Sequence, residues 1–299
     1  MSPHDAQAEL KSFTPGHKYF VGIDSDGCAF DTMELKHKEC FIPNTIRHWD
    51  LQPVSKYARA AAEFVNLYSK WRGINRFPAL VMVFDLLKDW DEVQARRAAI
   101  PEAREVRDFI GSGVPLGNPE LQKLADETGN PVLKRALVWS KAVNSSIADM
   151  VRGVPPFPFV RESLEKLAGF ADIMCVSATP GEALRREWEE HGIAKYAAVI
   201  AGQEMGSKAE HLGVAAKGKY PPERILMIGD APGDLKAARA NGALFYPVNP
   251  GCEDASWQLF FSEALDVFRS GNYAGSYEEE LIAKFETFLP STPPWKKRG

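Results

Sequence analysis

Apolar and polar positions fall into two regimes along this chain. From about Phe157 onward, short apolar runs alternate with amphipathic stretches of helical period. Asp172 to Ser177, Ala198 to Ala201, Arg224 to Ile228 and Leu244 to Val248 read as strands. Val160 to Leu167, Gly181 to His191, Lys208 to Lys217 and Gly233 to Ala240 read as the helices between them. Such alternation predicts a parallel sheet with flanking helices, an α/β fold. One strand of the same kind, Tyr19 to Ile23, stands far upstream, and the alternation is then suspended. The stretch between reads as helical: Pro53 to Trp71, Phe77 to Ala98, Pro119 to Thr128 and Val132 to Val151, with Gly73, Gly129 and Gly153 as stop signals. A loop that long without structure of its own is improbable, so a separate all-helical domain at 33–154 is expected, inserted into a core made of 1–32 and 155–299. Proline-rich Val154 to Pro158 reads as the hinge back into the core. The first dozen residues are polar and expected to fray. Ser256 to Arg269 and Tyr277 to Phe288 add two helices, and the tail from Pro290 reads as a surface extension.

Chemistry gathers where the predicted strands end. Tyr19 to Ile23 runs into Asp24-Ser25-Asp26-Gly27, two aspartates one residue apart followed by a glycine that lets the chain turn. Residues two apart in extended backbone face one side, so both carboxylates can enter one crevice. Such a pair is costly unless a cation or a shared proton compensates it. Ile173 to Val176 ends in Ser177, with Thr179 just beyond. Lys208 opens a helix after Gly206-Ser207, and Ile225 to Ile228 leads into Gly229-Asp230 and on to Asp234. In open parallel sheets, ligands bind outside the carboxyl ends of the strands, which is where these residues fall.

The ordered set resembles the haloacid dehalogenase superfamily, most of whose members are Mg²⁺-dependent phosphatases. Asp24-Ser25-Asp26-Gly27 matches that family's first motif, DxDG, and Phe30-Asp31 its frequent extension. Ser177 matches the second motif, Lys208 the third, and Gly229-Asp230 with Asp234 the fourth, GDxxxD. The resemblance covers roughly Lys18 to Thr32 and Phe157 to Asn249, and implies a Rossmann-like core with a cap inserted between motifs one and two. It also implies roles. Asp24 would be the nucleophile and form an aspartyl-phosphate, and Asp26 the general acid and base. Ser177 and Lys208 would bind the transferring phosphoryl group, with Thr179 able to share that work. Mg²⁺ would be held by Asp24, the backbone carbonyl of Asp26, and Asp230, with Asp234 close behind. Each residue also has a plainer reading. Ser177 could be a strand-end hydroxyl bonded to backbone, Lys208 an ordinary surface lysine, and Asp234 a helix cap.

Composition narrows the function classes. The 299 residues carry 36 Lys and Arg against 40 Asp and Glu, a net charge of −4, so no polycationic surface suggests nucleic acid. No apolar run approaches the ~20 residues of a membrane span. The N-terminal stretch with His4, Asp5 and Glu9 lacks a basic-then-apolar export signal. Cys28, Cys40, Cys175 and Cys252 are widely spaced, which suits a reduced, cytoplasmic protein. Cys28 lies beside the acidic pair, whose charge opposes thiolate formation. A monomer or a homodimer is expected.

The helical insert offers less. Arg72 and Arg76 flank Gly73 and either grip an anionic substrate or form a solvated helix end that complements the dipole. Trp49, Trp71, Trp90 and Trp139 read as helical core, with a sugar platform as the alternative; His37 and His48 show no ligand spacing.

The leading expectation is therefore a phosphomonoesterase acting on a small phosphorylated metabolite. A phosphotransferase or mutase with the same intermediate is the alternative, and a non-catalytic metabolite-binding protein is the outlier. Asp26 disfavours a dehalogenase, which has no leaving alkoxide to protonate.

Overall fold

A computed structural model describes residues 6–297. Expectations for residues 1–5 and 298–299 lie outside the described residues. The chain divides into two compact units: 6–32 with 153–289, and 33–152 with 290–297.

In the first unit, five parallel strands form one sheet in the order β3-β2-β1-β4-β5, with β1 Tyr19–Ile23, β2 Ala171–Val176, β3 Ala197–Ala201, β4 Ile225–Gly229 and β5 Leu244–Pro247. The upstream strand thus takes the central place. Gly22 fits closely there, since a Cβ would come within 3.1–3.2 Å of Leu212, Met227 and Val176 side chains, which would have to give way. Both faces are covered, as near-continuous apolar strands demand. Val21, Ile23, Ile173, Leu226 and Tyr246 pack on one side with Trp188, Trp257 and Phe260. Phe20, Met174, Met227 and Phe245 pack on the other with Leu212, Ala238 and Phe285. Residues 8–12 do not fray: Ala8–Ser12 is a short helix whose Leu10 is buried in that second layer.

The second unit is all helical. Its longest helices are Ser55–Asn66, Arg76–Lys88, Asn118–Thr128 and Pro131–Met150. Asn75 and Asn130 cap two of them, each accepting from the backbone N–H two residues on. The helix expected over 77–98 breaks at Asp89-Trp90, where Trp90 is extended, and a short turn of helix follows at Asp91–Ala95. A helical run from Thr32 to His48, including a π-helical segment at Lys36–Phe41, and a helix at Arg104–Gly111 were not legible as helices. Trp49 and Trp139 are core residues, and Trp71 and Trp90 pack against the same hydrophobic cluster.

The tail corrects an expectation. Residues 290–297 belong with the helical unit and not with the α/β core. The Trp295 ring stacks on Trp90 at 4.0 Å and 6°, its edge meets Phe64 at 5.7 Å, and Lys296 pairs with Asp89 at 2.8 Å. Burying two indoles outweighs the polar character of the segment.

Candidate active site

Three neighbouring strands deliver the acidic and hydroxyl groups. Asp24 follows β1, Ser177 follows β2 and Asp230 follows β4, all at carboxyl ends and all buried. The Asp24 N–H donates to the Ile228 carbonyl at 3.0 Å, and the Ser177 N–H to Ala201 at 3.0 Å, so the ladder holds each residue one step beyond its strand. Asp26 lies in a tight turn in which the N–H groups of Ala29 and Phe30 donate to the Ser25 carbonyl at 2.9 and 3.0 Å. Gly27 occupies the left-handed region there, at φ 81°. The Asp26 carboxylate accepts a hydrogen bond from Thr32 Oγ1.

Lys208 comes from the far side. Ser207 caps the Lys208–Ala215 helix in a capping box with Glu210: the Ser207 hydroxyl accepts from the Glu210 N–H at 3.3 Å, and the Ser207 N–H donates to Glu210 Oε2 at 2.7 Å. That places Lys208 at the first turn. Its ammonium donates to Asp24 Oδ2 at 2.7 Å and Asp234 Oδ1 at 2.5 Å, and its side chain is only 17% exposed. The surface-lysine reading therefore fails. Asp234 does two things at once, since its Oδ2 also accepts from the N–H groups of Asp230 and Ala231 at 3.2 and 3.0 Å. Gly229 permits this approach, because a Cβ there would lie 2.3 Å from that of Asp234.

The carboxylates of Asp24, Asp230 and Asp234 each place an oxygen within 4.8 Å of the others. Three buried carboxylates thus face one ammonium. Burial pushes the Asp24 carboxyl well above its ordinary range; Lys208 opposes the rise, and the charges of Asp234 and Asp230 add to it. Burial alone would lower the pKa of Lys208, but Asp234, Asp24 and Asp230 more than offset this and the net shift is upward. The donors are all carboxylate oxygens, dry and still over-negative with the lysine counted, so the cluster fits a hard divalent cation such as Mg²⁺. Burial, with Asp230, Asp24 and Asp234 close by, also drives the Cys28 thiol upward, which disfavours its thiolate.

Other expected residues make local bonds of their own. Ser177 Oγ accepts from the Thr179 N–H at 3.3 Å, and the Thr179 carbonyl accepts from Gln203 at 3.0 Å, so the two share one loop. In the helical unit, Arg72 is buried and donates to the Leu67 carbonyl at 2.9 Å. Arg76 donates to Ser140 O and Oγ at 3.1 and 2.9 Å and to Asn144 Oδ1 at 2.8 Å, and its guanidinium lies over the Phe41 ring. Burial lowers its pKa to about 10. Neither arginine is a solvated helix end, because both are drawn inward by acceptors that local packing would otherwise leave unsatisfied.

Sequence reasoning missed one set of neighbours, Glu187 and Trp188, which bond the side chain of Ser25 between the two aspartates. No signal in the sequence around Ser25 pointed to them.

No family model matches the chain. A phosphoglycolate phosphatase from Vibrio vulnificus is 23% identical over 171 residues, spanning 49% of this chain and 68% of that protein. Among solved structures, a haloacid dehalogenase-like family hydrolase from Streptococcus pneumoniae is 14% identical, with a TM-score of 0.49 over 89% of this chain and 98% of that one. A haloacid dehalogenase-like hydrolase from Bacteroides fragilis is 16% identical, with a TM-score of 0.48 over 80% and 93%. At such values the structural likenesses bear on no residue's role. The chain is similar to haloacid dehalogenase-like hydrolases and phosphatases.

Proposed function

We propose that this protein is a Mg²⁺-dependent phosphomonoesterase acting on a small phosphorylated metabolite. The observation that carries the reading is the Asp24–Lys208–Asp234 contact at the ends of the central strands, with Asp230 beside it. An Asp24 oxygen attacks phosphorus and the bond to the ester oxygen breaks, leaving an aspartyl-phosphate. Asp26 gives its proton to the departing oxygen, then takes one from the water that cleaves the acyl phosphate and restores Asp24. Thr32, bonded to the Asp26 carboxylate, orients it for both steps. Lys208 opposes the burial-driven rise of the Asp24 pKa and aims its carboxylate, and Ser177 with the adjoining loop receives phosphoryl oxygens.

Asp24 and Asp230, with the Asp26 carbonyl and with Asp234 behind, would hold the cation. When bound, Mg²⁺ supplies positive charge that offsets the repulsion between an anionic nucleophile and a phosphate dianion. The pattern of bonds within the helical unit favours a packing role for Arg72 and Arg76. No helix among the described residues is long and apolar enough to cross a membrane, and the four cysteines are free. The free thiols support a reduced, cytoplasmic setting.

The test is release of inorganic phosphate from a panel of phosphomonoesters, with Mg²⁺ and with EDTA. Phosphoglycolate belongs first in the panel, because the Vibrio relative bears that name. Mg²⁺-dependent release is expected. Activity that survives EDTA would contradict the reading, and a phosphorylated acceptor in place of free phosphate would turn it to phosphotransfer.

A further inference from the structure

Ser25, between the two candidate catalytic aspartates, is fully buried, and each of its polar groups is engaged. Its N–H donates to Asp24 Oδ1 at 2.8 Å, and its carbonyl accepts from Cys28, Ala29 and Phe30 at 3.3, 2.9 and 3.0 Å. Its hydroxyl accepts from Trp188 Nε1 at 2.9 Å and donates to Glu187 Oε2 at 3.0 Å. The direction of this chain is set by its ends. An indole N–H only donates, so the serine proton must go to Glu187, whose oxygen must accept.

Glu187 and Trp188 sit on the Gly181–Glu190 helix. Leu184 and Trp188 are buried a turn apart, and Glu187 flanks the same face, so one helix surface supplies both the anchor and the acceptor. That helix begins four residues after Ser177, and its Gly181 N–H is held by Glu204 Oε2 at 2.9 Å. Gly202 closes against it so tightly that a Cβ would lie 2.5 Å from the Gly181 nitrogen. The loop that carries Ser177 and the loop that carries Asp24 and Asp26 are therefore braced by one rigid element.

We infer that Glu187 is a positioning residue: through the Ser25 hydroxyl, it fixes the backbone between Asp24 and Asp26, and with it the spacing of nucleophile and acid–base group. The inference rests on the phosphatase reading for its effect on turnover, but not for its effect on the loop. Glu187 reaches the loop through the Ser25 hydroxyl. It acts because small misplacements of aligned groups are costly to rate.

The experiment compares Glu187→Ala, Glu187→Gln and Ser25→Ala with wild type. Hydrolysis of a small aryl phosphate is measured well below each variant's Tm, with hydrogen–deuterium exchange of the segment spanning residues 24–31. Glu187→Ala should lower kcat at least about tenfold while KM moves less than about twofold, and should speed exchange in that segment while β5 stays protected. Glu187→Gln keeps an oxygen that accepts the serine proton and should restore most of kcat. Ser25→Ala cuts the same link from the other end and should match Glu187→Ala, which also keeps the test intact if the latter fails to fold. Unchanged kcat or unchanged loop exchange in Glu187→Ala would overturn the inference. So would a Glu187→Gln variant as impaired as Glu187→Ala. A wild-type protein without phosphatase activity would sink the proposed function alone, because the exchange comparison still decides whether Glu187 braces the loop.

Discussion

The two units handle charge in different ways. In the α/β unit, Asp24, Asp230 and Asp234 are gathered around one lysine at the strand ends, where burial and mutual repulsion make ionisation costly. In the helical unit, charge is settled locally. Arg76 meets Ser140 and Asn144, Arg107 pairs with Asp85 at 2.6 Å, and Lys88 with Glu102 at 2.7 Å. A fold tolerates a cluster of the first kind when function requires it, whereas pairs of the second kind follow from packing and solvation. The contrast separates where chemistry is done from where structure is held.

The largest effect should come from Asp24→Asn. It keeps the shape and removes the attacking oxyanion, so turnover should fall at least about ten-thousandfold while thermal unfolding still shows a folded protein. Residual wild-type activity would place the chemistry elsewhere and dissolve the contrast.

Lys208→Met comes next and is read in stability. Removing its ammonium leaves three buried carboxylates facing one another, a loss of about 3–5 kcal/mol in urea unfolding without divalent cations. Added Mg²⁺ should narrow the deficit if the cluster binds it, since a ligand of the native state stabilises it. A variant as stable as wild type would mean that the carboxylates are already protonated or solvated.

Arg76→Ala probes the other side. Loss of its bonds to Ser140 and Asn144 should cost about 1–3 kcal/mol, with hydrolysis of a small aryl phosphate changed less than about twofold. A tenfold loss of kcat/KM on an anionic natural substrate, with stability intact, would instead make Arg76 the substrate grip that the sequence allowed for.

The smallest effect concerns the opposite end of the sheet. Asp172 accepts from the Gly16 and His17 N–H groups at 3.0 and 2.8 Å and from the Tyr220 hydroxyl at 2.7 Å. Burial raises its pKa, but these bonds outweigh it and the net shift is downward. A depressed carboxyl contributes stability above its unfolded pKa of 3.8 and loses it as pH falls through the folded value. Asp172→Asn should therefore cost no more than about 1 kcal/mol at neutral pH, a gap that closes as pH falls below 3.8 through the lower folded value. A gap that widens in acid would reverse the assignment.

The α/β unit was largely legible because its strands are short, apolar and punctuated, and because its functional groups follow them at once. Asp24, Ser177 and Asp230 could be read from the residues that precede them. What stayed hidden depends on contacts distant in sequence. Nothing near Ser25 announces Glu187, 162 residues away. Nothing in the proline-rich tail announces that Trp295 will stack on Trp90. The helical unit was legible only where amphipathic period and caps agreed, as in Pro131–Met150. The run through Lys36–Phe41 departs from the 3.6-residue period altogether, so periodicity had no signal to find.

The central claim is that Asp24 is phosphorylated during turnover. Wild-type protein turning over a phosphomonoester labelled in its phosphoryl group should be quenched in acid within milliseconds and digested, and the label assigned by fragmentation. The label should sit on Asp24 in wild type and be absent from Asp24→Asn. Phosphate release without label on Asp24, or with label on another residue, would contradict the account.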